Sequence, residues 1–294
     1  MLDLQRLEQR RLLSATVTYQ AGQLIVQGDK NNDDLLVTVV GGRIEHAVAQ
    51  TPEAFNGARL LSTPVVSVFD HGKQVFTSAT FPRQSIGHVE LLGSAGDDAL
   101  AVKVDNAYMG ITVDGQWGQD QISFQANSAT GKLQVLGGDD ADLITGTTIA
   151  SGNVIFDAGA GNDVVNLSVA GMAGHTVLGG EGDDVLTLSA KVDSAGARVL
   201  GYTAYGEAGN DFIRGSALAD SLYGGDGDNE IHAGAGNDWV CGGSGSDFLY
   251  GDEGDDFLDH GGGFDMIDGG AGFDKAMAGA DDKVVDVEQL LLPL

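Results

Sequence analysis

The chain has 294 residues, with 43 acidic against 15 basic side chains and a formal net charge of -28. Nucleic acid and anionic membrane surfaces both demand basic partners, so this balance excludes them and favours cations as ligands. Hydrophobic residues at 42% argue against a disordered acidic chain, four prolines against a Pro-rich linker, and a lone cysteine, Cys241, against any internal disulfide. No apolar run is long enough for a transmembrane helix.

Residues 1–15, MLDLQRLEQRRLLSA, are basic and helix-prone, with Arg6, Arg10 and Arg11 clustered and no continuous apolar core of the kind a secretory signal needs. The run from Leu7 to Ala15 resembles the LEPR-XLL motif found near the start of many bacterial surface and secreted proteins, with Gln9 in place of its proline. That resemblance implies export; the plainer reading is an amphipathic helix.

A β-rich region is expected over 16–87. In it, QLIVQGDKNNDDLLV holds one turn phrase: Leu24 and Val26 alternate into a turn opened by Gly28, Asp33 takes its sixth position, and Leu35 and Val37 alternate out. Beyond it, RIEHAVA, PVVSVFD and KQVFTSATF read as strands separated by turns at Asn56-Gly57 and His71-Gly72. They suggest an insertion of antiparallel strands, or a small β subdomain packed on the first coil.

The phrase returns over 88–205 with starts at Gly93, Gly115, Gly137, Ala158 and Gly179; the steps are 22, 22 and 21 residues, then 21, and 27 to the next start at Gly206. Each start is followed by an acid at the sixth position (Asp98, Asp120, Asp142, Asp163, Asp184) and an apolar residue at the eighth (Leu100, Ile122, Ile144, Val165, Leu186). The residues four and two positions before each start are also largely apolar, as in Val89 and Leu91 or Val154 and Phe156, with His175 before Gly179 an exception. Period-two alternation on both sides of a Gly/Asp turn means two half-buried strands per coil, so 88–205 reads as a parallel β-solenoid.

From Gly206 to Asp286 the chain divides into nine consecutive nine-residue units, beginning GEAGNDFIR and ending AGADDKVVD. The sixth position is Asp211, Asp220, Asp238, Asp247, Asp256, Asp265 or Asp274 in seven of them, and the eighth is apolar in all nine, from Ile213 to Val285. Departures are Asn229 and Lys283 at the sixth position and Leu218 in place of an inner glycine. The Gly-rich half reverses the chain and the last three residues form a minimal strand, so two units make one coil. Stacked coils then place the sixth residues in two ladders. One runs Asp98, Asp120, Asp142, Asp163, Asp184, Asp211, Asn229, Asp247, Asp265; the other, Asp220, Asp238, Asp256, Asp274, exists only in this region. Residues 287–294 should close the open end, with Val285, Val287 and Leu290 to Leu292 covering it.

Carboxylates and turn carbonyls around shared gaps are hard oxygen donors without imidazole or thiolate, which suits Ca²⁺. Upstream, the acids could instead cap tight turns through hydrogen bonds to backbone. The nonapeptides resemble the GGxGxDxUx units of RTX, or hemolysin-type, calcium-binding proteins. The resemblance implies an all-β chain with a β-roll over 206–286, several Ca²⁺ ions between turns, an extracellular or cell-surface location, and folding that awaits calcium outside the cell.

Catalytic patterns are sparse. The six histidines form no HExxH spacing, and Gly243-Ser244-Gly245 belongs to a turn rather than a nucleophile elbow. A non-catalytic protein is expected. The rival is a carbohydrate-active solenoid of the alginate or pectin lyase or epimerase kind. A third reading is an adhesion module facing a cell-surface polysaccharide or matrix protein through outward Trp239, Phe248 and Phe257.

Overall fold

The computed structural model describes residues 10–11, 15–20, 23–28, 34–40, 65–70, 73–77, 88–105, 110–127, 132–149, 154–169, 174–190 and 201–291. Every regular element among them is a β-strand. The strands lie in two sheets of 14 and 13 strands. From Gln23–Gly28 onward each coil gives one strand to each sheet. Equivalent strands of successive coils pair in parallel, as His88–Ala95 does with Gly110–Trp117 and Ala99–Asp105 with Gln121–Asn127. The expected parallel β-solenoid is the observed fold.

Strand alternation drives this packing. Along His88–Ala95, Val89, Leu91 and Gly93 are buried while their neighbours are half-exposed. Across the larger sheet the inward residues align in one column: Val26, Leu91, Val113, Val135, Phe156, Val177, Ala204, Leu222, Val240, Leu258, Ala276 and Leu290. Opposite it runs Leu35, Leu100, Ile122, Ile144, Val165, Leu186, Ile213, Ile231, Leu249, Ile267 and Val284. These two columns form the centre of the core, and second inward rows such as Val89 and Ile111 or Val102 and Phe124 extend it. Where the coil shortens to 18 residues, strands of the smaller sheet fall from six residues (Val185–Ala190) to three (Phe212–Arg214). The second inward residue of each such strand, Leu188 in the last long coil, is thereby lost.

The solenoid begins earlier than the residue-88 boundary expected from periodicity. Gln23–Gly28 and Asp34–Val40 pair in parallel with His88–Ala95 and Ala99–Asp105, so they are its first coil. The irregular stretch lies between the first and second coils. Its strands Val65–Asp70 and Lys73–Thr77 continue the smaller sheet as an antiparallel insertion. Ala15–Gln20 does the same for the larger sheet, and Arg10–Arg11 pairs with it as a strand where a helix was the plainer expectation. An open first edge presents unpaired backbone donors and acceptors, and antiparallel strands satisfy them. RIEHAVA, Asn56-Gly57, His71-Gly72 and Asp33 lie outside the described residues.

The last unit also departs from expectation. Ile267 is paired with Val284, and Met266 with Lys283, so the ninth unit is one residue short. Asp282 and Val284 hold the places that strict counting gives to Lys283 and Val285. The slip has a physical cause: the backbone N–H of Asp265 needs an acceptor there, which a lysine ammonium cannot be. Gln289–Leu291 then closes the larger sheet against Lys275–Met277. Leu290 takes an inward register and is 51% exposed, with no further coil over it among the described residues. Among the described residues no helix is long and apolar enough to cross a membrane.

Phe124 and Phe156 meet edge to face between the sheets with ring centroids 6.3 Å apart, and Gly146 beside them leaves room for Leu167, whose Cδ2 would lie 2.9 Å from a Cβ there. Phe156→Ala should therefore cost about 3–5 kcal/mol of stability. Thermal melts at saturating calcium check it, with the exposed Trp117→Ala as a control expected to change stability by less than about 0.5 kcal/mol.

Candidate metal centre

The turns owe their shape to backbone that only small residues adopt easily. In the turn opened by Gly242, the second and fourth positions, Gly243 and Gly245, take φ of 112° and 127°, and a Cβ on Gly243 would lie 2.0 Å from the Gly225 carbonyl oxygen. Asp140, at the fourth position of the Gly137 turn, takes φ of 75° and keeps the same path.

That path turns the sixth side chain back against the preceding coil. On the first edge each sixth residue donates its backbone N–H to the sixth side chain one coil on: Asp98 to Asp120 Oδ1 at 2.7 Å, Asp120 to Asp142 at 2.8 Å, Asp142 to Asp163 at 2.7 Å, Asp163 to Asp184 at 2.8 Å and Asp184 to Asp211 at 2.9 Å. The chain of bonds continues from Asp211 to Asn229, Asp247 and Asp265, and ends on Asp282 at 3.0 Å. The second edge runs from the Tyr202 N–H through Asp220, Asp238, Asp256 and Asp274, ending on Glu288 Oε2 at 2.7 Å. All twelve predicted aspartates are thus buried in the two expected ladders.

One oxygen of each carboxylate is used this way. The other is the notable one. Oδ2 of Asp120, Asp142, Asp163, Asp184, Asp211 and Asp247 on the first edge, and of Asp238, Asp256 and Asp274 on the second, is buried and receives no hydrogen bond. It faces further oxygen. A Cβ built on Gly115 would lie 2.1 Å from Asp120 Oδ2 and 2.3 Å from the Gly137 carbonyl oxygen; at Gly137 the matching distances are 2.4 Å to Asp142 Oδ2 and 2.2 Å to the Ala158 carbonyl. The same convergence recurs at Gly93, Gly179, Gly206, Gly242 and Gly251. Buried acceptors facing acceptors are costly unless something positive lies between them. Carboxylate and carbonyl oxygens are the donor set of Ca²⁺.

The proton ledger points the same way. Burial, followed by repulsion from neighbouring ladder carboxylates, lifts Asp142 and Asp238 to about 8 and Asp120 and Asp184 to about 7. Burial likewise lifts Asp247 and Asp256 to about 6, with neighbouring carboxylates adding to it, and Asp211 to about 6 beside Asp183. Asp163, Asp220, Asp265 and Asp274 are raised by burial as well.

Two positions solve the problem without an ion. Asn229 Nδ2 donates to the Gly227 carbonyl at 3.1 Å and reaches the Gly242 carbonyl at 3.5 Å, giving those oxygens a donor. Asp220 accepts from the Ser216 backbone N–H at 2.6 Å on Oδ2, and from the Ser216 hydroxyl at 3.2 Å and the Tyr202 N–H at 2.6 Å on Oδ1. These are the units in which asparagine and Leu218 break the sequence pattern.

Residues 205–240 and 242–267 match the RTX calcium-binding nonapeptide repeat, in four copies. These turns are RTX calcium-binding repeats. Calcium is accordingly their ligand, and the empty-handed oxygens between the turns are of the kind it takes. No curated protein and no solved structure matches the chain.

Within and beyond the RTX repeats, several residues escape the sequence pattern. Asp282, Glu288 and Tyr202 end or begin the ladders; only the Asp281-Asp282 pair hinted at the slip. A third, exposed ladder joins fifth-position side chains in the reverse sense: the N–H of Asp183 donates to Asn162, that of Asn210 to Asp183, that of Asp228 to Asn210 and that of Ser246 to Asp228. The alternation of Asn and Asp at that position was its signal. The aromatic patch expected from Trp239, Phe248 and Phe257 is divided. Trp239 and Phe257 stack on the larger sheet with centroids 4.3 Å apart, but Phe248 lies on the smaller sheet beside Glu230 and Met266, because successive units alternate between sheets. His175 is buried, and desolvation lowers it to about 4, so it stays neutral while Nδ1 accepts the Val154 N–H at 3.2 Å.

A carboxyl raised in the folded state contributes stability below its unfolded value, near 4, and that contribution is lost as pH rises through 6 to 8. In chelator, the thermal midpoint should therefore rise as pH falls from 8 to 5. With calcium the trend should reverse, because protons compete for the same oxygens. Melts across that range in both buffers check the two signs.

Proposed function

We propose that calcium binding along both edges of the solenoid couples to its folding, and that the protein is a non-catalytic one acting outside the cell or on its surface. The observation that carries this reading is the row of buried Oδ2 atoms that lack donors and face carbonyl oxygens of the next coil. On the first edge, Asp98, Asp120, Asp142, Asp163, Asp184, Asp211 and Asp247 contribute carboxylates, while Asp265, also expected to bind calcium from its spacing, faces the His260 imidazole. On the second, Asp238, Asp256 and Asp274 do so, with Asp220 contributing least because Ser216 already holds it. In domain terms, 88–205 offers one calcium edge and 206–286 two.

Linkage supplies the mechanism. Ions that bind only the ordered turns add their binding free energy to folding, about 1.4 kcal/mol per site at ten times its Kd. They also relieve the repulsion of a chain at -28. Extracellular calcium sites typically have Kd of about 10⁻⁴–10⁻³ M, so a chain loose in a low-calcium cytosol would fold after export. The resemblance of the N-terminal run to LEPR-XLL supports that location.

Circular dichroism during a calcium titration of the full chain should show β content rising cooperatively into the millimolar range. Unchanged β content between chelator and millimolar calcium would overturn the folding role. Asp256→Asn should bind one calcium ion fewer while the ladder bond survives, since Asn229 already serves as such an acceptor. Equilibrium dialysis of calcium gives that count.

A surface role rests on the Trp239 and Phe257 stack. Trp239 is 44% exposed on the larger sheet, a flat apolar platform of the kind that sugar rings stack on. A cell-surface polysaccharide is the partner we favour for it, with a matrix protein as the competing outcome. Trp239→Ser should abolish polysaccharide retention in affinity electrophoresis and leave calcium-induced folding intact.

A further inference from the structure

At the first position of every turn in the array except one, the residue is glycine or alanine. There, the sixth-position Oδ2 crowds any added side chain. The exception is the seventh nonapeptide, HGGGFD, which begins with His260. Its imidazole stands where the other turns have space for a methyl at most. Nδ1 lies 3.3 Å from Asp265 Oδ2 and 3.1 Å from Asp282 Oδ2. The three donor atoms all lie within 4.8 Å of one another. The Asp265 and Asp282 side chains are 0% and 1% exposed, that of His260 13%, so the cluster is buried with one accessible side. Asp265 Oδ2 receives no hydrogen bond of proper geometry, and neither does His260 Nδ1.

We infer that His260, Asp265 and Asp282 form a transition-metal site, fitted to Zn²⁺, at the C-terminal end of the first ladder. It goes beyond the calcium reading and requires a different ion. Ca²⁺ takes oxygen ligands, whereas imidazole nitrogen with two carboxylates is a zinc set. Ligands about 2.0–2.1 Å from a tetrahedral Zn²⁺ stand about 3.3 Å from one another, which the two nitrogen–oxygen separations match. A fourth position stays open to water on the accessible side.

The carboxylates are held in place before any metal arrives. Asp282 Oδ1 accepts the Asp265 N–H at 3.0 Å and Oδ2 the Gly279 N–H at 2.6 Å. Asp265 Oδ1 accepts the Asp247 N–H at 2.7 Å. Such outer contacts orient ligands and limit reorganisation on binding. The one-residue shortening of the ninth unit is part of the site, because strict register would bring Lys283 here.

Cobalt is the probe, since tetrahedral Co²⁺ absorbs strongly in the visible and Zn²⁺ does not. The full chain is first saturated with calcium so that the turns are formed. Wild type should then take up one Co²⁺ with a tetrahedral spectrum that equimolar Zn²⁺ abolishes and a further tenfold excess of Ca²⁺ does not. His260→Ala, which installs the residue that Ala233 already represents at this position, should lose at least tenfold in Co²⁺ affinity with calcium-induced circular dichroism unchanged. Asp282→Asn, which keeps an acceptor for the Asp265 N–H, should do likewise. A wild type without tetrahedral absorption, a spectrum retained in His260→Ala, or displacement by the added calcium would each overturn the site and leave His260 as a hydrogen-bonding plug.

Discussion

The structure depends on one carboxylate used twice. In most turns the sixth-position aspartate gives Oδ1 to a backbone N–H of the preceding coil, which ties the coils together at a fixed height. Its Oδ2 is left buried against carbonyl oxygen. The first contact is structural and complete within the protein. The second needs a positive partner. Apolar residues could not make the first bond, and a side chain with its own donor removes the need for the second, as Asn229 shows.

Coil length decides how many edges can carry such turns. A coil of 21 or 22 residues gives both sheets long strands and a core two side chains deep on the smaller sheet, such as Val165 with Leu167. The 18-residue coil trims the strands of the smaller sheet to three residues and puts a Gly/Asp turn at both ends. Stability in the long coils therefore rests more on buried apolar area, with Phe124 and Phe156 its largest members. In the short coils it rests more on what occupies the turns. The two parts still share continuous sheets, so ordering one end templates the other.

Both ends of the array are finished by departures from its own rule. Antiparallel strands cover the first coil, where a further parallel coil would leave another open edge. At the far end Asp282 and Glu288 replace the next coil's aspartates as acceptors, from a shortened unit and from the closing segment. His260 enters the ladder at the same end. Irregular residues gather where the repeat has to stop, which is where a chemistry different from the repeat can arise.

The sequence by itself determined the architecture and the ladders. Period, Gly-rich turns and an alternating apolar face can be satisfied together only by stacked coils, so the inward columns and all twelve aspartates were legible from spacing. It also marked Asn229 and Leu218 as weak points, because each alters a residue whose role the period defines. Other features were settled only by tertiary structure. Which strands begin the solenoid depends on pairing across an insertion that has no period. The slip to Asp282 depends on the Asp265 N–H finding an acceptor, and the division of Trp239 and Phe257 from Phe248 depends on successive units facing opposite sheets. The gathering of His260 with Asp265 and Asp282 is likewise a product of stacking. A local repeat specifies the turn, while contacts between coils decide what the turn meets.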